Sequence, residues 1–279
     1  TAGVPPACSE LSVLFSITDP LHGDVTVDPA TDTTYISDGR VVRAYVGDLP
    51  CGSPPPCTHT TGFVPNSVVP ALGPITGLGC DVFDPTAGEA VIYVTDGFQV
   101  VRLVPPAVCG DPPTLMYGPC PVPAAMQPVT DVSYDAFDRV LWMISDAGDI
   151  AFMNPLVCVS GAPVSASACG IGPPFTGIAY DISTPNPNPQ SSSAWICNAA
   201  GEIAYVEVYT GVTGASTFAG PVPCSTSPEP LCGLAVAYRG VNYGTSRDVA
   251  MLQTFGQSTS PSATFGIDVI NAPATGTSF

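Results

Sequence analysis

Asp24-Val-Thr-Val-Asp28, Gly77-Leu-Gly-Cys-Asp81, Asp131-Val-Ser-Tyr-Asp135, Gly177-Ile-Ala-Tyr-Asp181 and Gly233-Leu-Ala-Val-Ala237 are five versions of one short run. They begin 53, 54, 46 and 56 residues apart. Each of the first four is followed by a second apolar run, a tight polar turn and a third apolar run. Self-similarity at this period marks one supersecondary unit used repeatedly, as in propellers and solenoids.

The third copy shows the unit most plainly. Val129–Asp135, Val140–Ser145 and Asp149–Met153 are short runs rich in β-branched and aromatic residues, bounded by Asp, Gly and Pro. They read as strands. Between the second and third runs stand Ser37-Asp38-Gly39, Thr95-Asp96-Gly97, Ser145-Asp146-Ala147-Gly148 and Asn198-Ala199-Ala200-Gly201. Asp or Asn followed by Gly suits the positive-φ positions of tight hairpins, so these runs are expected to pair antiparallel. No segment sustains a 3.6-residue period free of proline, and almost no helix is expected.

The fifth repeat supplies Gly233–Tyr238, Arg247–Thr254 and Ala263–Ile270, then ends in Asn271–Phe279. A spare apolar run, Leu11–Thr18, stands ahead of the first repeat. Pairing it with the last repeat would close a ring and cover two sheet edges. The expected fold is therefore all-β: a single five-bladed β-propeller over residues 1–279, closed by the N-terminal strand, with six blades as the alternative count. The blades are placed at approximately 20–70, 71–125, 126–173, 174–228 and 229–270, the last joined by 9–19.

The run from Asp131 through Tyr134, Asp138, Trp142 and Asp146 to Ile150 resembles a blade of the YWTD and NHL type of β-propeller. The resemblance covers the inner halves of four or five repeats. It implies a scaffold for protein interaction or ligand binding, with some propeller relatives acting as metal-dependent hydrolases. Such families usually have six blades, and the cysteine-bracketed, proline-rich outer segments depart from their pattern.

Apolar residues make up 45% of the chain and charged ones 10%, against about 25% charged in an ordinary soluble domain. There is no lysine; six arginines face 23 acidic residues, for a net charge of −17. That balance argues against nucleic acid, whose phosphates need a basic face, and against an anionic membrane surface. No apolar stretch is long enough to insert in a membrane. The chain starts at Thr1 without a signal peptide, and a leader is expected to have been removed.

Of eleven cysteines, eight form close pairs in sequence: Cys51/Cys57, Cys109/Cys120, Cys158/Cys169 and Cys224/Cys232. One staple per repeat is expected, which points to a secreted protein in an oxidising compartment. No C-x-x-C occurs and neither His22 nor His59 sits in a ligand-like cluster, so zinc is not expected. Cys80 and Cys197 fall in apolar runs and read as buried thiols. Cys8 is left as the candidate for a bridge to another chain.

Asp28, Asp81, Asp135 and Asp181 end the first strand of four repeats. Acids around a shared axis could hold calcium or serve a glycosidase. Recurrence in every repeat favours a turn-capping role instead. Asp24 and Asp131 open their strands where the other copies have Gly77, Gly177 and Gly233, which makes them the candidate ligands of a cation, calcium included. Trp142 and Trp195 occupy corresponding positions, with Tyr35 and Tyr93 as equivalents, and are candidate sugar platforms whose more usual use is core packing. Tyr117, Tyr243 and Phe255 read as loop aromatics. The polar, proline-rich Ser183–Ser193 is expected as an exposed loop. Without an N-x-[ST] sequon, glycans would be O-linked, with Ser191, Ser192, Ser193, Ser227 and Ser260 as candidates. No G-x-S-x-G or triad is visible, and no catalytic residue is assigned.

The expected function is that of a secreted, non-enzymatic structural or adhesive module of an extracellular matrix, cell wall or surface filament. Its partners would be other extracellular proteins or copies of itself. The rivals are a glycan-binding, lectin-like protein and a calcium-dependent hydrolase or lyase using the axial carboxylates.

Overall fold

Short apolar runs cut by Asp-Gly and proline fold here as strands covered on both faces, as in Asp24–Asp28, Thr33–Ser37 and Val91–Thr95, where every residue is buried. The computed structural model describes residues 8–12, 24–28, 33–46, 61–81, 90–107, 111–135, 138–166, 171–180, 191–200, 202–210, 216–226, 231–236, 242–246, 251–255 and 265–270.

β1 (Cys8–Ser12) precedes the repeats. The first repeat gives β2 (Asp24–Asp28), β3 (Thr33–Ser37), β4 (Val42–Val46) and β5 (Thr61–Phe63). The second gives β6 (Gly77–Asp81), β7 (Val91–Thr95), β8 (Gln99–Val104) and β9 (Thr114–Pro121). The third gives β10 (Val129–Asp135), β11 (Val140–Ser145), β12 (Asp149–Asn154) and the short β13 (Val159–Ser160) and β14 (Val164–Ser165), both paired with β12. The fourth gives β15 (Phe175–Tyr180), β16 (Ser191–Asn198), β17 (Glu202–Thr210) and β18 (Ser216–Thr226). The fifth gives β19 (Leu231–Val236), β20 (Asn242–Ser246), β21 (Met251–Phe255) and β22 (Phe265–Ile270). Helical content among the described residues is confined to 3-10 turns, at Pro65–Ser67, at Ala124–Met126 and at Ala166.

Within each repeat the strands pair antiparallel in chain order, save that β14 returns to β12. The turns between second and third strands place Gly39, Gly97 and Gly148 at φ of +89°, +88° and +89°, the region that glycine enters without a Cβ penalty. Asp38 Oδ1 accepts the N–H groups of Arg40 and Val41, and Asp96 Oδ1 those of Phe98 and Gln99. Asn198 Oδ1 does the same for Ala200 and Glu202.

The first strands β2, β6, β10, β15 and β19 adjoin one another in that order, and β19 also meets β2. The core lies between successive sheets. Tyr35, Val42 and Phe63 of the first meet Leu78, Ile92 and Leu103 of the second. Tyr93 and Val100 meet Val132, Leu141 and Met143 of the third. Trp142, Ile144 and Ile150 meet Phe175, Ile178 and Ile196 of the fourth.

The expectation of a closed five-bladed propeller, or of a sixth blade, is corrected. The strands form four wholly antiparallel sheets and a fifth with one parallel pair, and no sheet closes on itself. The expectation of closure rests on three runs in the last repeat, one strand short of the others. That repeat has four strands of its own, since Asn242–Ser246 pairs with both β19 and β21. β1 instead lies parallel on β22 as a fifth, outer strand, Cys8 opposite Phe265 and Leu11 opposite Ile267, while β19 stays the other edge. β1 is described over Cys8–Ser12, and residues 13–18 of the expected Leu11–Thr18 lie outside the described residues.

Candidate functional site

Asp24 opens β2 and Asp131 is the third residue of β10, with β6 between them. β6 begins at Gly77, where a Cβ would come within 2.6 Å of the Asp131 Cα and 2.9 Å of its Oδ1. The missing side chain leaves room for Asp131 beside β6, and the two carboxyls hydrogen-bond to each other. Asp24 Oδ2 also accepts the Leu78 N–H. Asp131 Oδ1 accepts the N–H of Val132 at 2.6 Å, and its Oδ2 that of Ile178 at 2.7 Å. The pair thus ties β2 to β6 and β10 to β15.

Both side chains are shut off from solvent, at 1% and 0% exposure. Burial pushes Asp24 up to about 7 against the pull of its hydrogen bonds. Asp131 is pushed well up by burial and then by the charge of Asp24. Two touching carboxylates in such a place cannot both stay ionised. No N–H or hydroxyl donor reaches Asp24 Oδ1. Among the described residues no group of three or more His, Cys, Asp or Glu side chains is arranged to hold a metal. Calcium takes about six to eight oxygens, and this pair fits it poorly.

Asp28, Asp81 and Asp135, at the ends of their first strands, are buried as well but do different things. Asp135 Oδ1 accepts the Asp138 N–H at 3.0 Å, a turn cap. Asp81 lies 3.7 Å from Arg102 Nη2 and accepts the Tyr93 hydroxyl at 3.4 Å. The Tyr93 ring stacks on Tyr134 at 5.0 Å. Burial, then the charge of Asp81, drives the Tyr93 phenol up and raises Tyr134 to about 12. The sequence reading passed over Arg102, whose signal is a lone cation inside the apolar run of β8. Asp28 is buried at the end of β2, and Asp181 lies outside the described residues.

Trp142 and Trp195 are core residues with no face open to a sugar. Trp142 packs edge-on against Phe152 at 4.8 Å. Opposite Ser133 and Ala179, they hold the register that Tyr35 and Tyr93 hold opposite Thr26 and Gly79. Ser191, Ser192 and Ser193 begin β16, paired with β17, and so do not belong to a loop. Tyr117, Tyr243 and Phe255 likewise stand in strands β9, β20 and β21. Cys80 is a half-buried thiol and Cys197 a buried one in contact with the Thr176 hydroxyl. Cys8, Cys224 and Cys232 lie in β1, β18 and β19. Cys51, Cys57, Cys109, Cys169, Ser227 and Ser260 lie outside the described residues.

Cys120 and Cys158 are joined to each other, with Cα atoms 5.2 Å apart. The pairings Cys109/Cys120 and Cys158/Cys169 are therefore corrected: the bridge runs between repeats, across 38 residues. It links β9, the outer strand of the second sheet, to the turn before β13, the outer strand of the third.

Around this bridge lies a surface that the sequence reading missed. Thr114 to Tyr117 are exposed at four consecutive positions, so neither face of β9 is fully covered there. Across the bridge Leu156 is exposed, and Val157 and Val159 reach 60% and 64%. Residues 112–121 and 155–166 contain no charged side chain, on a chain of net charge −17. The available signal was that charge-free, apolar stretch.

No protein-family model matches the chain, and no curated protein matches it. The likeness to YWTD and NHL blades rests on the residues of the repeat alone. No helix among the described residues is long and apolar enough to cross a membrane.

Proposed function

We propose that this chain is a secreted, non-enzymatic structural or adhesive module that assembles with copies of itself, edge to edge, through β9. The observation that carries the reading is the uncharged apolar rim formed by Leu115, Met116 and Tyr117 with Leu156, Val157 and Val159. An edge strand that carries apolar side chains is a template for pairing with another chain, and Thr114–Tyr117 is the stretch of β9 free of proline. Two molecules of charge −17 repel each other over most of their surfaces, and this rim is where they meet without opposed carboxylates. Pairing of β9 with its own copy satisfies main-chain groups on both sides, the strand-addition mode of recognition, and gives a self-complementary interface. The disulfide beside the rim lowers the ordering cost of association. A disulfide also agrees with an oxidising, extracellular setting.

Sedimentation of the purified protein over a range of concentrations tests the reading. Reversible association is expected, tighter at higher salt because screening weakens the repulsion between copies. Replacing Leu115 and Tyr117 by lysine should abolish it while leaving the melting temperature within about 2 °C, since exposed sites contribute little to folding. A wild-type chain that stays monomeric at every concentration and salt level overturns the assignment.

A further inference from the structure

We propose that Asp24 and Asp131 share one proton and act as an acid-stabilised latch holding neighbouring sheets together. The two carboxyls are in side-chain contact beside the start of β6, Asp131 against Gly77 and Asp24 on the Leu78 N–H, both sealed from solvent. Asp24 grips β6 through the Leu78 N–H, and Asp131 grips β15 through the Ile178 N–H. One bond between the two side chains thus joins contacts made by four first strands.

No cationic side chain stands on the strands packed against the pair. β2 packs against β3, β6, β19 and β20, and β10 against β6, β7, β11 and β15. These strands carry no arginine or histidine, and the chain has no lysine. Their other titratable groups are the carboxyls of Asp28, Asp81 and Asp135, the thiols of Cys80 and Cys232, and the phenols of Tyr35, Tyr93, Tyr134, Tyr180 and Tyr243. None of these carries a positive charge that would offset a second negative one. Asp24 Oδ1, buried without an N–H or hydroxyl donor, marks where a proton is needed. A proton held between the two turns repulsion into a charge-assisted hydrogen bond, the shorter and stronger kind.

The sign follows from linkage. A carboxyl whose folded pKa is raised contributes fully below its unfolded value, near 4, and the contribution is lost as pH rises through the folded value. For Asp24 that value is about 7. The latch is closed in mildly acidic surroundings and loosens toward neutrality and above.

Thermal melts of the full chain between pH 4.5 and 7.5 test this, in metal-free buffer. The wild type should lose at least about 3 °C across the range. Asp24→Asn keeps an oxygen for the Leu78 N–H, offers an N–H to Asp131 and does not titrate. Its melting temperature should be level within about 1 °C and exceed that of the wild type at pH 7.5. Parallel curves for the two proteins overturn the proposal. Infrared spectroscopy of the wild type at pH 6 needs no variant. The carbonyl stretch of a buried, protonated carboxylic acid is expected, and its absence overturns the proposal. Millimolar calcium or magnesium that raises the wild-type melting temperature at pH 7.5 and leaves Asp24→Asn unmoved would show a cation in place of the proton, and overturns it too.

Discussion

Gly77 is where the smallest change has the largest structural reach. A methyl group there meets the backbone of Asp131, at 2.6 Å from the Cα and 2.9 Å from the Val132 N, and backbone does not swing aside as a flexible side chain would. Gly77→Ala therefore parts β6 from β10 and separates the acid pair. The expected cost is about 1–3 kcal/mol, the usual range for overpacking. Gly172 provides the contrast, since a Cβ there meets nothing within 4 Å. Gly172→Ala should fall within about 0.5 kcal/mol of the wild type or gain slightly by restricting the unfolded chain. Denaturant unfolding of both variants checks the difference, and equal losses would show that close approach at Gly77 is not the cause. The identity of this glycine was legible as a departure: Asp24 and Asp131 stand where three other repeats have glycine. What the sequence could not show is that two such acids, two repeats apart, touch beside the start of the strand between them.

At the scale of the element, the hairpin turns are set by local chemistry. Asp96 is the clearest case, accepting hydrogen bonds from Gly73 N–H, Phe98 N–H, Gln99 N–H and the Gln99 side-chain amide. Burial works to raise its pKa, but these donors outweigh it and hold the carboxyl below its ordinary value. A lowered pKa means stability that is present above the unfolded value near 4 and lost as pH falls through the folded one. Asp96→Ala should cost about 1–3 kcal/mol at pH 7, the penalty for leaving partly buried N–H groups without their acceptor. Its loss of stability between pH 5 and 2 should be shallower than that of the wild type, as read by urea unfolding at each pH. The same locality explains what sequence reading recovered. Asp-Gly turns and apolar runs placed β10 and β11 at their observed bounds and β12 to within one residue. It failed at β20, where Asn-Tyr-Gly-Thr-Ser has a single apolar side chain and a central glycine. That strand exists because β19 and β21 offer it hydrogen bonds on both sides. Its omission produced the mistaken need for a closing strand.

For the whole molecule, the organising fact is that the strand ladders lie within single sheets, while neighbouring sheets are joined by side chains packed between them and by isolated hydrogen bonds such as Val129 N–H to the Gly97 carbonyl and Phe175 N–H to the Asp146 carbonyl. Cohesion between sheets then rests on apolar clusters, on the Asp24–Asp131 contact and on the covalent link from Cys120 to Cys158. The bridge spans 38 residues of chain, and closing a loop of that size in the unfolded state corresponds to about 4 kcal/mol by chain entropy alone. Measured effects of this kind commonly fall short, so replacing both cysteines by serine should cost about 2–4 kcal/mol. The loss should concentrate where the second and third sheets meet. Hydrogen exchange of the double variant is expected to rise first in β9 and β12, whereas β16 and β17, two sheets away from β9, should keep their protection. Sequence spacing suggested a different map, because neighbours in the chain look like partners until the fold brings β9 beside the next repeat. Mass mapping of proteolytic fragments under non-reducing conditions discriminates the two: a peptide joining Cys120 to Cys158 is expected, and one joining Cys109 to Cys120 would remove the inter-sheet bridge. The same bridge borders the uncharged rim. A double variant that keeps its fold at low temperature should therefore associate more weakly than the wild type, because a looser rim has more ordering to lose when it pairs.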